Sequence, residues 1–144
     1  MALFPSVEWF DQVREIYNSD DSFQHGGGGA LEATIGIRTG DRVFQLTFAG
    51  VQCVKAIEIS DEALVDVDFY LEMEPENWQL MIENIKVNDH ADLDYTLNTL
   101  DLERDDGLAK SRSGDQYRHD MFFRFNQTFQ YFFDASARID TQFT

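Results

Sequence analysis

Apolar residues recur at helical spacing near the start of the chain. Phe10, Val13 and Tyr17, flanked by Trp9 and Ile16, form one broad stripe, which predicts an amphipathic helix over residues 6–19. Ser6 offers an N-cap and Glu8 places a negative charge in the first turn. The polar run 18–22 ends that pattern, and the glycines at 26–29 read as a flexible joint. The period then changes to two. Ala33, Ile35 and Ile37 alternate with Thr34, Gly36 and Arg38, and Gly40-Asp41 is a hairpin signal. Phe44, Leu46 and Phe48 share one face of the next strand, and Ala49-Gly50 marks a second turn. A third strand is predicted over 51–59, with Val51, Cys53, Ile57 and Ile59 on one side. Val65, Val67, Phe69 and Leu71 alternate with Asp66, Asp68, Tyr70 and Glu72, the pattern of a half-buried strand with one wet, acidic face.

The helical period returns after Pro75, a residue suited to the first position of a helix. Trp78, Met81, Ile82 and Ile85 then form one continuous stripe. Residues 89–102 fit either a helix, through Leu93, Leu97 and Leu100, or the start of a short strand at Leu100 and Leu102. Residues 103–114 are polar and contain glycine, as a loop does. Ser113 with Gln116 resembles a capping box, and one long helix is predicted over 115–138. Consecutive strands joined by tight turns are expected to pair antiparallel. The predicted fold is α+β: a single, largely antiparallel sheet of about five strands, helices packed on one face, and a long C-terminal helix.

Length and charge narrow the picture further. The 144 residues amount to one domain, and with 43% hydrophobic residues they can bury a real core. Eleven Lys and Arg stand against 27 Asp and Glu, for a net charge of −16. That field repels a nucleic-acid duplex or an anionic membrane, so nucleic acid is not an expected partner. The chain has no uninterrupted apolar window long enough to span a bilayer, so stable membrane insertion is not expected either. Met1-Ala2-Leu3-Phe4-Pro5 lacks the basic and apolar regions of a secretory leader. The one cysteine, Cys53, cannot form an internal disulfide and fits a reducing compartment, so a cytoplasmic location is expected.

The candidate chemistry is concentrated in the last predicted helix. Six of the 13 phenylalanines lie between 122 and 133, and Phe122, Phe125, Phe129, Phe132 and Phe133 fall on one stripe. Such a stripe either covers the sheet or lines a cavity for an apolar ligand. The expected ligand-binding set is Phe122, Phe125, Phe129 and Phe132, facing Phe44, Phe48, Phe69, Trp78 and Met81. Other signals are weaker. His25 and the glycines after it lack the Lys and Ser/Thr of a phosphate loop. Asp89, His90, Asp92 and Asp94 cluster without the spacing of a calcium loop and read as solvated, so no metal site is expected. Asp66 and Asp68 share a predicted strand face, and alternation alone explains them. His119 and Asp120 are sequence neighbours that do not face each other on a helix. Asn126-Gln127-Thr128 is a formal glycosylation sequon, expected to be unused without a leader. No catalytic constellation can be assigned, and no cofactor is expected.

The segment Phe4-Pro5-Ser6-Val7-Glu8-Trp9-Phe10, the block 33–42 with its following strand, and Val67-Asp68-Phe69-Tyr70-Leu71 leading into Pro75-Glu76-Asn77-Trp78 together resemble bacterial sterol-carrier-protein-2-like domains. The resemblance covers residues 4–86. It implies a sheet of about five strands, an apolar tunnel, and carriage of sterols, fatty acids or acyl-CoA without a catalytic residue. Residues 87–144 are longer and more aromatic than the usual family ending. Thr141-Gln142-Phe143-Thr144 is not a peroxisomal signal, so a peroxisomal role is not implied. The expected function is therefore a soluble carrier of an apolar small molecule. The alternatives are a small cofactor-free enzyme acting on a hydrophobic substrate through a group such as Asp68 or His119, and an oligomeric partner subunit, such as a homodimer, that uses the Phe-rich helix.

Overall fold

A computed structural model describes residues 2–26, 29–103, 107–112 and 116–143, the side chains of residues 24–26 and 116–119 excepted. The elements run β1 (Ala2–Phe4), α1 (Val7–Ser19), α2 (Asp21–Gly26), β2 (Ala33–Thr39), β3 (Arg42–Ala49), β4 (Gln52–Ile59) and a 3-10 turn (Asp61–Val65). They continue with β5 (Phe69–Met73), α3 (Pro75–Asn88), α4 (Leu97–Leu102), β6 (Ala109–Lys110), α5 (Gln116–Arg124), α6 (Asn126–Asp134), a second 3-10 turn (Ala135–Arg138) and β7 (Thr141–Phe143). The fold is α+β, with a five-stranded, mostly antiparallel sheet in the order β4-β3-β2-β5-β6. Among the described residues, no helix is long and apolar enough to cross a membrane.

Local chemistry explains most boundaries. The Ser6 hydroxyl accepts the Trp9 N–H at 3.1 Å and starts α1 as a side-chain cap. Gly40 and Gly50 both take φ +64°, the left-handed turns that let β2, β3 and β4 fold back antiparallel. Pro75 stands at the start of α3, whose buried face is Trp78, Met81, Ile82 and Ile85. The Thr96 hydroxyl accepts the Thr99 N–H at 3.2 Å, which settles the ambiguous stretch as a loop followed by α4.

Four expectations are corrected. First, β4 and β5 do not pair: the chain crosses the second face of the sheet through Asp61–Val65 and lays β5 parallel to β2. The predicted strand beginning at Val65 therefore shortens to Phe69–Met73, and Val65 is 52% exposed. Second, β4 carries a bulge where Thr47 pairs with Lys55 and Phe48 with Cys53, leaving Val54 as the extra residue. The extra residue flips the alternation, so Cys53 faces the main core while Ile59 packs with the cluster on the second face. Third, the single long C-terminal helix is two helices. Phe125, at φ −113° and ψ 21°, leaves the helical region and separates the two, and Asn126, a poor interior helix residue, opens the second helix without a side-chain cap. Fourth, the first and last strands form a separate parallel pair, with Ala2 opposite Thr141 and Phe4 opposite Phe143. Part of the loop predicted at 103–114 supplies β6, which pairs with β5, and the Ser113 capping box lies outside the described residues.

The main core fills the space between α1, α3, α5, α6 and one face of the sheet. Val43, Leu64, Val67 and Tyr70 form a smaller cluster on the other face. Around that cluster runs a chain of ion pairs. Arg112 meets Asp61 at 2.8 Å, Asp61 meets Arg38 at 2.8 Å, Arg38 meets Glu72 at 3.4 Å, and Glu72 meets Lys110 at 2.8 Å.

Candidate functional site

The pleat of the sheet and the helical period bring the aromatic residues together. Ile35, Leu46 and Phe69 occupy one level across β2, β3 and β5, so Phe48 and Phe69 point to the same face. Phe129 and Phe132 of α6 come down onto that face. The rings of Phe48 and Phe129 lie 5.4 Å apart, Phe48 and Phe132 6.0 Å, and Phe69 and Phe129 5.3 Å. Phe122 of α5 reaches Phe69 at 6.1 Å. All four contacts are edge-on, the favoured arrangement for aromatic pairs. These five residues of the expected set form one continuous layer, and each is buried.

The other four expected residues sit elsewhere in the same core. Phe44 packs on Phe10 at 5.1 Å, beneath the Arg42 guanidinium. Trp78 packs on Phe133 at 5.4 Å, and its indole N–H donates to the Arg38 carbonyl at 2.9 Å. Met81 is buried in the main core, and Phe125 is buried with the Arg124 guanidinium 5.3 Å from its ring. Trp9, Phe10 and Phe133 join the two groups. Trp9 meets Phe10 at 5.0 Å, and Phe133 meets Phe132 at 5.4 Å. Phe133 stood on the predicted stripe, and the adjacent rings of Trp9-Phe10 were the sequence signal for the rest.

Among the clefts bounded by described residues, two roomy ones lie outside this layer. One, of about 470 Å³, runs between α3 and β7 past Ile82, Val87 and Phe143. The other, of about 510 Å³, lies between the α3–α4 loop and α6 and is bordered by His90, Asn126, Tyr131 and Asp134. A buried polar network forms its floor. Gln130 Oε1 accepts the Leu97 N–H at 2.7 Å, and Gln130 Nε2 donates to Asp134 Oδ1 at 2.9 Å. The Ala91 N–H donates to the same oxygen at 3.1 Å. Burial pushes the Asp134 carboxyl above its ordinary value, against the opposing effects of these hydrogen bonds and of the His90 charge.

The remaining candidates have structural partners. Asp68 Oδ2 accepts the Thr34 N–H at 2.9 Å, while the Asp68 N–H donates to the Thr34 carbonyl at 2.9 Å. Asp66 ends the first 3-10 turn, so Asp66 and Asp68 are not a pair on one strand face. Burial pushes the Cys53 thiol up to about 12, far from a thiolate nucleophile at neutral pH. Among the described residues, no three His, Cys, Asp or Glu side chains converge as a metal site. Asp92 instead accepts from Asn84 Nδ2 at 3.0 Å. The side chains of His25 and His119 lie outside the described residues.

Comparison with protein-family models, with curated proteins and with solved structures finds no match for this chain.

Proposed function

We propose that this chain binds and carries an apolar small molecule of the sterol, fatty-acid or acyl-chain class, held between the sheet and the α5–α6 cover. One observation supports the reading above the rest: Phe48, Phe69, Phe122, Phe129 and Phe132 meet as a single ring layer under a cover built from two short helices. The outer one, α5, rests on α6, β5 and the two-residue strand β6, the lightest support of the helices over the layer. Ligand entry requires α5 to part from β5, because Phe69 and Phe122 are closed against each other. Burying about 400 Å² of ligand hydrocarbon yields roughly 10 kcal/mol at about 25 cal/mol per Å². Moving α5 and immobilising the ligand subtract from that gain. The five rings offer faces and edges and no titratable group, so their chemistry is to hold a molecule unchanged. The resemblance of residues 4–86 to sterol-carrier-protein-2-like domains leads to the same reading. A cytoplasmic setting belongs with it, since the one cysteine is a buried free thiol.

The test is extraction of the purified protein, with mass spectrometry of any released small molecule, paired with titration of a fluorescent polyene fatty acid. A stoichiometric lipid, or saturable probe fluorescence displaced by an unlabelled fatty acid, is the expected result. A folded, empty protein that leaves the probe dark would overturn the reading and make the rings core alone.

A further inference from the structure

The cleft between α3 and β7 lies outside the ring layer, and one of its walls is an unfinished strand edge. In the parallel β1–β7 pair, the Ala2 N–H donates to the Asp140 carbonyl at 3.0 Å, with Ala2 opposite Thr141. Backbone direction alternates along a strand, so Asp140 and Gln142 turn their hydrogen-bonding groups toward β1, while Thr141 and Phe143 turn theirs away. Both outward-turned residues border the cleft. Among the described residues, the backbone N–H and carbonyl groups of these two have no hydrogen-bond partner. The opposite wall is the apolar pair Ile82 and Val87 of α3, and Val87 is 83% exposed. A lone exposed valine is ordinary, but this one stands beside an open strand edge across a cleft of about 470 Å³.

We infer that an extended, basic peptide segment of a partner protein docks in this cleft and adds a third strand to the β1–β7 pair through the outward groups of Thr141 and Phe143. Strand addition draws its affinity from main-chain hydrogen bonds and its specificity from alternate side chains. Every second side chain of the segment lies toward α3, so those positions call for apolar residues against Ile82 and Val87. Charge selects the rest. Among the described residues, Lys86 is the one cation bordering the cleft, and its three N–H groups are already spent. They donate to the Ala137 and Ile139 carbonyls at 3.2 and 3.1 Å and meet Asp140 at 3.2 Å. Glu83, on the same border, has no ion pair among the described residues, and the Asp140 side chain is 76% exposed. The unspent charge is therefore negative, in a chain of net charge −16, and it complements lysine or arginine in the segment. The Lys86 bonds also fix the backbone just ahead of β7, so the edge is held in place before a partner arrives.

The experiment is anisotropy titration of the full chain into a fluorescent peptide that alternates valine and lysine. Two comparison peptides are the same sequence fully N-methylated, which removes the donors of a strand edge, and one that alternates valine with glutamate. Val87→Lys and Val65→Lys replace exposed valines and add the same charge, but Val65 lies in the crossover turn on the second face of the sheet. The expected result is saturable binding of the valine–lysine peptide, at least tenfold weaker in V87K and within twofold of wild type in V65K, with no saturation by either comparison peptide. In the wild-type complex, hydrogen exchange of the Thr141 and Phe143 amides should slow at least tenfold, and that of Gln142, already turned to β1, far less. Equal weakening in V65K and V87K, or equal binding of the N-methylated peptide, would overturn the docking and leave only attraction between opposite charges. So would the absence of binding at millimolar peptide. A chain that dimerises with concentration, and stops doing so in V87K, would give the cleft to a second copy and overturn the proposal as well. The exchange measurement uses the wild type and decides even if a variant unfolds.

Discussion

Gly36 shows how little freedom one position can have. It lies in β2 where the crossover turn passes over the second face of the sheet. A Cβ there would sit 2.6 Å from Leu64 Cδ2 and 2.8 Å from Tyr70 Cβ. Leu64 can shift its end atoms, but the Tyr70 Cβ is fixed by the strand. Gly36→Ala is therefore expected to lose about 1–3 kcal/mol, the usual cost of overpacking, seen as a lower urea midpoint at unchanged slope. Gly50→Ala meets no atom within 4 Å and strains only its φ of +64°. It is expected to lose about 1 kcal/mol. If Gly50→Ala proves the costlier change, the second-face packing is looser than these distances state. Asp134 makes a prediction of the opposite sign. Its carboxyl is raised in the folded state above the ordinary value of 3.8, chiefly by burial. The native protein thus binds more protons than the unfolded chain in the window above that value, and stability falls as pH rises through it. Asp134→Asn should be more stable than the wild type at neutral pH. The difference should vanish once pH drops below the ordinary carboxylate value. Urea midpoints across pH check this, and a gain that persists undiminished in acid would remove the ionised carboxylate as its cause.

At the scale of elements, the β1–β7 pair joins segments far apart in sequence and rests on more than three residues of ladder. The buried Trp9 indole N–H donates to Thr141 Oγ1 at 2.9 Å, and the Trp9 ring meets Phe4 at 4.8 Å. Thr141→Val keeps the side chain's volume and leaves that N–H without its acceptor. An unsatisfied buried donor costs about 1–3 kcal/mol, so chemical denaturation should show a loss of that size. Thr141→Ser should recover most of it, and equal losses in both variants would place the effect in the strand backbone. This pairing was not legible beforehand, since strands of three residues carry no period and their partner lies across the whole chain. Elements with several repeats of a pattern were legible: α1 through Phe10, Val13 and Tyr17, the β2–β3 hairpin through Gly40, and α3 through Pro75 and its stripe. Errors arose where one residue redirected a regular pattern. Val54 shifted the alternation of β4, and Phe125 split a stripe that remained apolar on both sides of the break. The parallel placement of β5 depended on Leu64 and Tyr70 closing over Gly36, a tertiary contact that neither strand announces by itself.

For the whole molecule, the aromatic layer and the Asp134 cleft differ in how far sequence could reach them. Phe48, Phe69, Phe122, Phe129 and Phe132 share a layer because each lies on a face that its element's period defines. Phe44 and Trp78 also point inward, but they meet Phe10 and Phe133 instead, a division set by where helices land on the sheet. The cleft joins residues 90–98 to 126–134 through side chains that no local pattern links, so it emerges only in three dimensions. The ring layer offers a comparison that separates carrying from mere packing. Phe122 and Phe133 are both fully buried, and replacing either by Ala should cost about 3–5 kcal/mol. Only Phe122 sits under α5, against Phe69, where the proposed ligand must enter. Phe133 instead packs on Trp78 and Phe132, on the side of the core toward α3. If the layer admits a ligand, Phe122→Ala leaves a space that the probe's hydrocarbon can fill, and polyene fatty-acid affinity should rise at least threefold. Phe133→Ala, at similar lost stability, should leave that affinity within twofold of wild type. Equal gains in both variants would trace probe uptake to a loosened core, because a general loss of packing does not distinguish the two ends of the layer.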